Sequence, residues 1–247
     1  MKLKLIKKLD EAKGTKSFFW EPEREVDYLP GQYFYWTLPK LNYPDDRGPT
    51  RDFTLSSSPT EGSILRITTR IRPQSGFKKT LDELKVGSFI ESEGPNGTFI
   101  LDENGEGTHV FLAGGIGITP FRSMIKYAVD KGLTIPIHLI YSNSLPEEIT
   151  FRKELTDWSK ELPNFRLDMT ITKPEESASW RKEPWRGLTG RIDENMLRSQ
   201  FDIWHLSFAI ADFWLCGPPA MVSAMEEVLS KLRVPESRIR SDKFTGY

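Results

Sequence analysis

Apolar and polar residues alternate in short runs through the first hundred residues: LKLIKKL, QYFYWTL, RDFTLSS, ILRITTRI and SFIESEG, with Gly and Pro between them. A period of two places one face of each run in a core and the other in water, which is the signature of a strand in an antiparallel sheet or barrel. One segment breaks the rhythm. SGFKKTLDEL, residues 75–84, opens with Ser and Gly, carries its acids ahead of Leu84 and predicts a helix.

From His109 the pattern becomes apolar strand, turn, helix: HVFLAGG, ITPFRSMIKYAVDKG, TIPIHLIYS, the helical EEITFRKELTDWSKE, FRLDMTIT, the helical DENMLRSQF, DFWLCG and a last helix over 219–232. Such alternation predicts parallel strands joined by crossover helices, so the second half is expected to be an α/β, Rossmann-like parallel sheet and the first an antiparallel β-barrel. The polar stretch DENGEGT, residues 102–108, reads as the linker, giving expected domains at 1–104 and 105–247.

Composition narrows the function classes. With 34 Lys and Arg against 35 Asp and Glu, the net charge of −1 supplies no global field for nucleic acid or anionic lipid. A single Cys, Cys216, excludes an internal disulfide and any iron–sulfur cluster held by a set of thiolates of this chain. His109, His138 and His205 lack metal-ligand spacing, and no apolar run reaches the roughly 18 to 20 residues of a membrane span. No membrane insertion and a cytoplasmic location are therefore expected. The start MKLKLIKKLDEAKG sets Lys2, Lys4, Lys7, Lys8 and Lys13, with Lys16 just beyond, among Leu and Ile. That basic stretch reads either as a docking surface for an acidic carrier protein or as a solvated edge strand protected by Lys.

Three local patterns carry chemistry. In LAGGIGITP, residues 112–120, Gly114, Gly115 and Gly117 follow a strand and open a helix, so the backbone can approach a diphosphate while helix-start N–H groups face its charge. Pro120 stands where the dinucleotide fingerprint has its last glycine, a position where proline suits a first helical turn. The glycines alone serve a tight strand-to-helix turn equally well. In RDFTLSSSP, residues 51–59, Arg51 is suited to pairing a phosphate, and Thr54 and Ser56 beside Phe53 to hydrogen-bonding a flat heterocycle, although such residues are common on solvated strands. CGPPAM, residues 216–221, sets Cys216 at the carboxyl edge of the expected parallel sheet, where a buried inert thiol is the commoner finding.

In this order, with GPNGTF over 94–99 and the terminal DKFTGY over 242–247, the motifs resemble the ferredoxin–NADP reductase family along nearly the whole chain. The resemblance implies a flavin-dependent NAD(P)H:acceptor oxidoreductase that exchanges hydride between NADPH or NADH and FAD, and electrons between FAD and a carrier such as ferredoxin or flavodoxin or a partner oxygenase. Arg51 would pair the FAD diphosphate, with Gly76, Lys78, Lys79 and Thr80 supplying helix-start N–H groups and a hydroxyl. Phe53, Thr54 and Ser56 would line the flavin, Thr54 near its N5. Phe53 replaces the family's usual Tyr, which keeps ring packing and loses the phenol's hydrogen bond. Gly115 and Gly117 would hold the nicotinamide coenzyme's diphosphate and Thr119 would orient its nicotinamide. Cys216 and Gly217 would lie beside the hydride-donating carbon, and Tyr247 would stack on the flavin. Thr54, Cys216 and Tyr247 are thus the candidate catalytic residues. The strand LIYSN ends without an acid for a ribose 2′-OH, and with Lys173 and Arg152 nearby it points to NADPH. Two other readings stand beside this one: a flavin subunit of a larger redox complex, and a redox-silent FAD- or nucleotide-binding module.

Overall fold

A computed structural model of the chain describes residues 1–103, 105, 107–177 and 184–245. By packing, the chain divides into two compact units, Met1–Leu101 with Thr119–Asp130, and Asp102–Ile118 with Lys131–Tyr247.

The first unit holds strands β1 (Lys2–Ala12), β2 (Thr15–Pro22), β3 (Tyr33–Thr37), β4 (Thr50–Thr54), β5 (Leu65–Arg70) and β6 (Phe89–Asn96), with helix α1 (Gly76–Glu83) between the last two. They form one sheet in the order β4-β3-β6-β1-β2-β5, antiparallel at every pairing. Its two edges meet just past β4, where Leu55 bridges Ile67 and the Ser56 N–H donates to the Arg66 carbonyl at 2.7 Å, so the sheet closes into a barrel. The alternation seen in the sequence fills it: Leu3, Leu5, Phe18, Trp20, Phe34, Trp36, Ile67 and Ile90 are all buried in one core.

β2 escapes the sequence reading because TKSFFWEP sets Phe18, Phe19 and Trp20 side by side and hides its period of two. The expected edge position of the basic N-terminal stretch is overturned: β1 runs between β6 and β2, paired on both sides. Several of its lysines have local work. Lys8 Nζ donates to the carbonyls of Asp82 at 2.7 Å and Leu84 at 2.8 Å, placing a cation at the negative end of α1, and Lys16 pairs with Asp82 at 2.6 Å.

The second unit is a parallel sheet, β10-β9-β8-β7-β11-β12, built from β7 (His109–Gly114), β8 (Ile137–Asn143), β9 (Phe165–Ile171), β10 (Leu188–Thr189), β11 (Asp212–Gly217) and β12 (Ile239–Lys243). Helices α3 (Arg152–Glu161), α4 (Glu194–Trp204) and α5 (Pro219–Lys231) join these strands, and α2 (Ile118–Lys131) follows β7. Both faces of β7 are covered, which is why VFLAG, after His109, is apolar throughout. The chain moves outward from β7 through β8, β9 and β10, then returns to the other side of β7 with β11, making the β7/β11 boundary the topological switch point.

The helix expected from Glu147 starts instead at Arg152, because Ile149 and Phe151 turn into the core and Phe151 takes a left-handed φ of 60°. Within α2, residues Thr119–Asp130 pack with the first unit: Arg122 donates to the Ser56 carbonyl and to both Glu61 oxygens at 2.6–3.0 Å, and Ser123 to the Ser57 carbonyl at 2.7 Å. No helix among the described residues is long and apolar enough to cross a membrane.

Candidate functional site

In the first unit the chemistry gathers where the end of β5, the start of α1 and the polar segment before β4 come together. Ser75 caps α1, accepting the Lys78 N–H at 3.2 Å, and Phe77 and Leu81 anchor the helix in the barrel core. Gly76 is required there because a Cβ would lie 2.3 Å from the Pro44 carbonyl oxygen and 2.6 Å from that of Tyr43. Cations collect around this turn. Burial lowers the Lys78 ammonium to about 8, and the charges of Arg72, Arg47, Arg51 and Arg70 push it the same way. Arg72 Nε is buried with no hydrogen-bond partner among the described residues. Of these five positive groups Arg51 is paired with Asp45, and the positive charge left in excess suits a multiply charged anion, so the residues present fit the diphosphate of FAD.

Arg51 sits in this cluster. Its Nη1 donates to the carbonyls of Arg47 at 2.9 Å, Gly48 at 2.9 Å and Thr50 at 2.6 Å, its Nη2 pairs with Asp45, and its plane lies 5.2 Å from the Phe77 ring centroid. Phe53 is half-buried on β4 with its ring 5.9 Å from that of Phe77, and Thr54 is buried opposite Tyr33.

Other expected contacts are spent inside the protein. The Ser56 hydroxyl, wholly buried, bonds the Arg66 carbonyl at 3.1 Å and Thr68 Oγ1 at 2.8 Å, so it serves barrel closure. The Thr80 hydroxyl donates to the Gly76 carbonyl at 2.7 Å and accepts the Asn42 N–H at 3.0 Å. Lys79 lies over the Tyr43 ring at 3.5 Å. Sequence reading missed Arg47, Arg70 and Arg72, although RGPTRD and TTRIR display them, because isolated arginines on strands and loops are usually solvated.

The second unit offers a different kind of site at its switch point. The turn Gly115–Gly117 leaves β7 and leads into α2, and Tyr141 donates to the Gly115 carbonyl at 2.9 Å. A Cβ on Gly117 would lie 2.3 Å from the Cys216 carbonyl oxygen and 2.6 Å from Gly217 Cα, so the turns after β7 and β11 pack backbone against backbone. Only glycine allows this.

Cys216 is wholly buried, and burial, with the Asp242 charge adding to it, pushes its thiol well up, so it stays protonated and is no nucleophile. β12, absent from the sequence reading, runs beside β11 with Asp242 opposite Cys216, and the Phe244 N–H donates to the Gly217 carbonyl at 3.0 Å. Phe244 is thereby held beside the switch point. Tyr247 lies outside the described residues. Thr119, near the start of α2, is buried.

At the ends of β8 and β9 the expected basic residues are engaged. Lys173 pairs with Glu176 at 2.9 Å, and Arg152 lies over the Trp185 ring at 5.2 Å. Glu147 accepts the Ser177 hydroxyl at 2.9 Å, which brings the segments after the two strands together with Glu147, Glu148, Glu175 and Glu176.

Comparison with known proteins assigns one domain to each sheet and counts Thr119–Asp130 with the second. Residues 2–100 match the oxidoreductase FAD-binding domain, and residues 111–227 the oxidoreductase NAD-binding domain. Among curated relatives, the anthranilate 1,2-dioxygenase electron transfer component of Acinetobacter baylyi is 29% identical over 90% of this chain and 59% of its own length. The glycine betaine monooxygenase reductase subunit of Chromohalobacter salexigens is 26% identical over 98% and 63%. The chain thus spans about six-tenths of the curated relatives it matches. Among solved structures, a ferredoxin NADP+ reductase from Neisseria gonorrhoeae with bound FAD and NADP superposes with a TM-score of 0.78 at 18% identity, covering 98% of both chains. The FAD/NAD-binding domain of nitric oxide dioxygenase from Vibrio cholerae gives 0.80 at 22%, again covering 98% of both. At these identities the structural matches speak for the fold. With a closed antiparallel barrel carrying the FAD-domain match and a parallel sheet carrying the NAD-domain match, the chain belongs to the oxidoreductases built of an FAD-binding and an NAD-binding domain, and its fold is that of the ferredoxin NADP+ reductase.

Proposed function

We propose that this chain is an NAD(P)H:acceptor reductase that passes reducing equivalents from a nicotinamide coenzyme through FAD to a partner oxygenase or a small carrier protein such as ferredoxin or flavodoxin. The observation that carries the reading is the presence, on one chain, of a five-cation anion site in the FAD-domain barrel and of interlocked glycine turns at the switch point of the NAD-domain sheet. FAD, when bound, supplies the exchange between two-electron and one-electron chemistry. The protein's part is binding and orientation. Lys78, Arg72 and Arg51 hold the diphosphate, and Phe53 and Thr54 line the flavin. Gly115 and Gly117 admit the coenzyme's diphosphate, while Cys216 fills the floor of that turn as a neutral thiol. Because the cofactors themselves supply the hydride chemistry, no side-chain base is needed.

The coenzyme preferred is NADH, against the expectation from the end of β8. The Glu147 carboxylate, just beyond the end of β8, suits a ribose 2′-OH and repels a 2′-phosphate, while Lys173 and Glu176 neutralise each other. The even charge balance and the single Cys suit a cytoplasmic setting. Reconstitution with FAD followed by anaerobic addition of NADH tests the reading: bleaching of the flavin spectrum supports it, and an unchanged spectrum leaves a redox-silent module.

A further inference from the structure

Asp45 lies in the polar segment between β3 and β4, in the run NYPDDRGP that the sequence reading passes over. Its side chain is only 8% exposed and gathers donors from three places. One oxygen accepts the Arg47 N–H at 3.2 Å and pairs with Arg51 Nη2. The other accepts the Ser75 hydroxyl at 3.1 Å and the Phe77 N–H, in the first turn of α1, at 2.9 Å. Burial alone would raise its pKa, but the bonds from Phe77, Arg47 and Ser75 and the charge of Arg51 outweigh burial and hold the carboxyl below the usual range. The segment around it is fixed as well, because Asn42 and Tyr43 donate to Glu83 and the Asn42 N–H to Thr80.

We propose that Asp45 is a positioning residue for the cofactor's diphosphate: it holds the Arg51 guanidinium and the start of α1 in the one arrangement that turns the Arg47, Arg51, Arg72 and Lys78 cluster toward a single anion. This rests on the FAD reading above. A count of charges gives the opposite expectation, since deleting a carboxylate beside five cations should tighten a dianion. Geometry outweighs the count here. Without Asp45 the buried Arg51 has carbonyls as acceptors but no countercharge from that segment, while Arg47 repels it and the Phe77 N–H loses its acceptor. The cluster then spreads, and a preorganised site becomes several independent cations.

The test titrates apoprotein with FAD and, separately, with riboflavin, which lacks the diphosphate, reading flavin fluorescence and thermal stability for wild type, Asp45→Asn, Arg51→Lys and the double variant. The expected result is an FAD Kd raised at least tenfold in Asp45→Asn, a riboflavin Kd within twofold of wild type, and a double variant no weaker than Arg51→Lys alone, because Asp45 acts through Arg51. Asp45→Ser, which keeps an acceptor for α1 but no charge for Arg51, takes the place of the Asn variant should that one not fold. Unchanged or tighter FAD binding, or an equal loss for riboflavin, overturns the proposal alone. Equal wild-type affinity for FAD and riboflavin overturns the diphosphate reading of the cluster and the proposal with it.

Discussion

The two units prepare for phosphate in opposite ways. In the barrel, recognition is built from side-chain charge, with Arg47, Arg51, Arg70, Arg72 and Lys78 collected at one turn. In the parallel sheet it is built from the absence of side chains, with Gly117 lying against Cys216 and Gly217 closely enough to exclude a single Cβ. A site of charges is graded. It weakens stepwise as cations are removed, and it responds to pH and salt. A site of backbone is all or nothing, indifferent to pH and intolerant of one methyl group.

The largest expected effect breaks the backbone site. Gly117→Ala puts a Cβ where the Cys216 carbonyl oxygen stands 2.3 Å away, so the turns after β7 and β11 must part. Overpacking of this kind costs about 1–3 kcal/mol. Calorimetry should show a lowered Tm, and flavin reduction by NADH should be nearly abolished while FAD stays bound. An Ala variant with wild-type Tm and reduction rate would show that the two turns do not need their close approach.

Next come the charges. Lys78→Met or Arg72→Ala removes one charge-assisted contact, about 1.5–3 kcal/mol, or roughly ten- to hundredfold in FAD affinity. Arg51→Ala should act in the same range. Each loss should shrink as salt is raised, whereas the Gly117→Ala defect should not change. Equal salt response in the two would erase the contrast between the sites.

A pH titration sharpens the comparison. The Lys78 pKa lies at about 8 in the folded chain, below its unfolded value near 10.4. The folded protein therefore gives up this proton first, and stability gains from Lys78 as pH rises from about 8 to about 10.4. The charged form is the one an anion needs, so FAD affinity should fall as pH rises through about 8, and the slope should vanish in Lys78→Met. An FAD affinity flat across that range in wild type would remove Lys78 from the site.

The smallest effect expected concerns coenzyme choice. Glu147→Gln removes one partly exposed carboxylate near the ends of β8 and β9, and such charges are well screened. The ratio of kcat/KM for NADH to that for NADPH should fall by a few-fold, about 1 kcal/mol at most. An unmoved ratio would place the ribose elsewhere.

How far the sequence carried depended on how local each signal was. Strands with clean alternation, such as LRITTR, and the helix capped by Ser75 are read directly from their spacing. β2 and β12 are not: three adjacent aromatics hide the first, and the second, IRSDK, has too little apolar content to stand out until β11 offers it a partner. The glycine turn was legible because only glycine permits such a bend. The cation cluster was half legible. Arg51 and Lys78 sit in motifs, while Arg47, Arg70, Arg72 and Asp45 become a site only when the barrel closes and brings separate loops together. The internal bonds of the Ser56 and Thr80 hydroxyls are illegible for the converse reason, since a polar side chain in a motif shows nothing of the carbonyl it will meet. Which strand stands at a sheet's edge is likewise a property of the whole sheet, and Lys2 to Lys8 could not announce that β1 lies inside.

The most direct measurement is an anaerobic titration of the FAD-reconstituted protein with NADH, followed by flavin absorbance. One equivalent should bleach the oxidised spectrum of one bound FAD per chain, and Gly117→Ala should retain the FAD but resist bleaching. A wild-type chain that binds FAD and keeps its oxidised spectrum in excess NADH and NADPH would contradict the central claim.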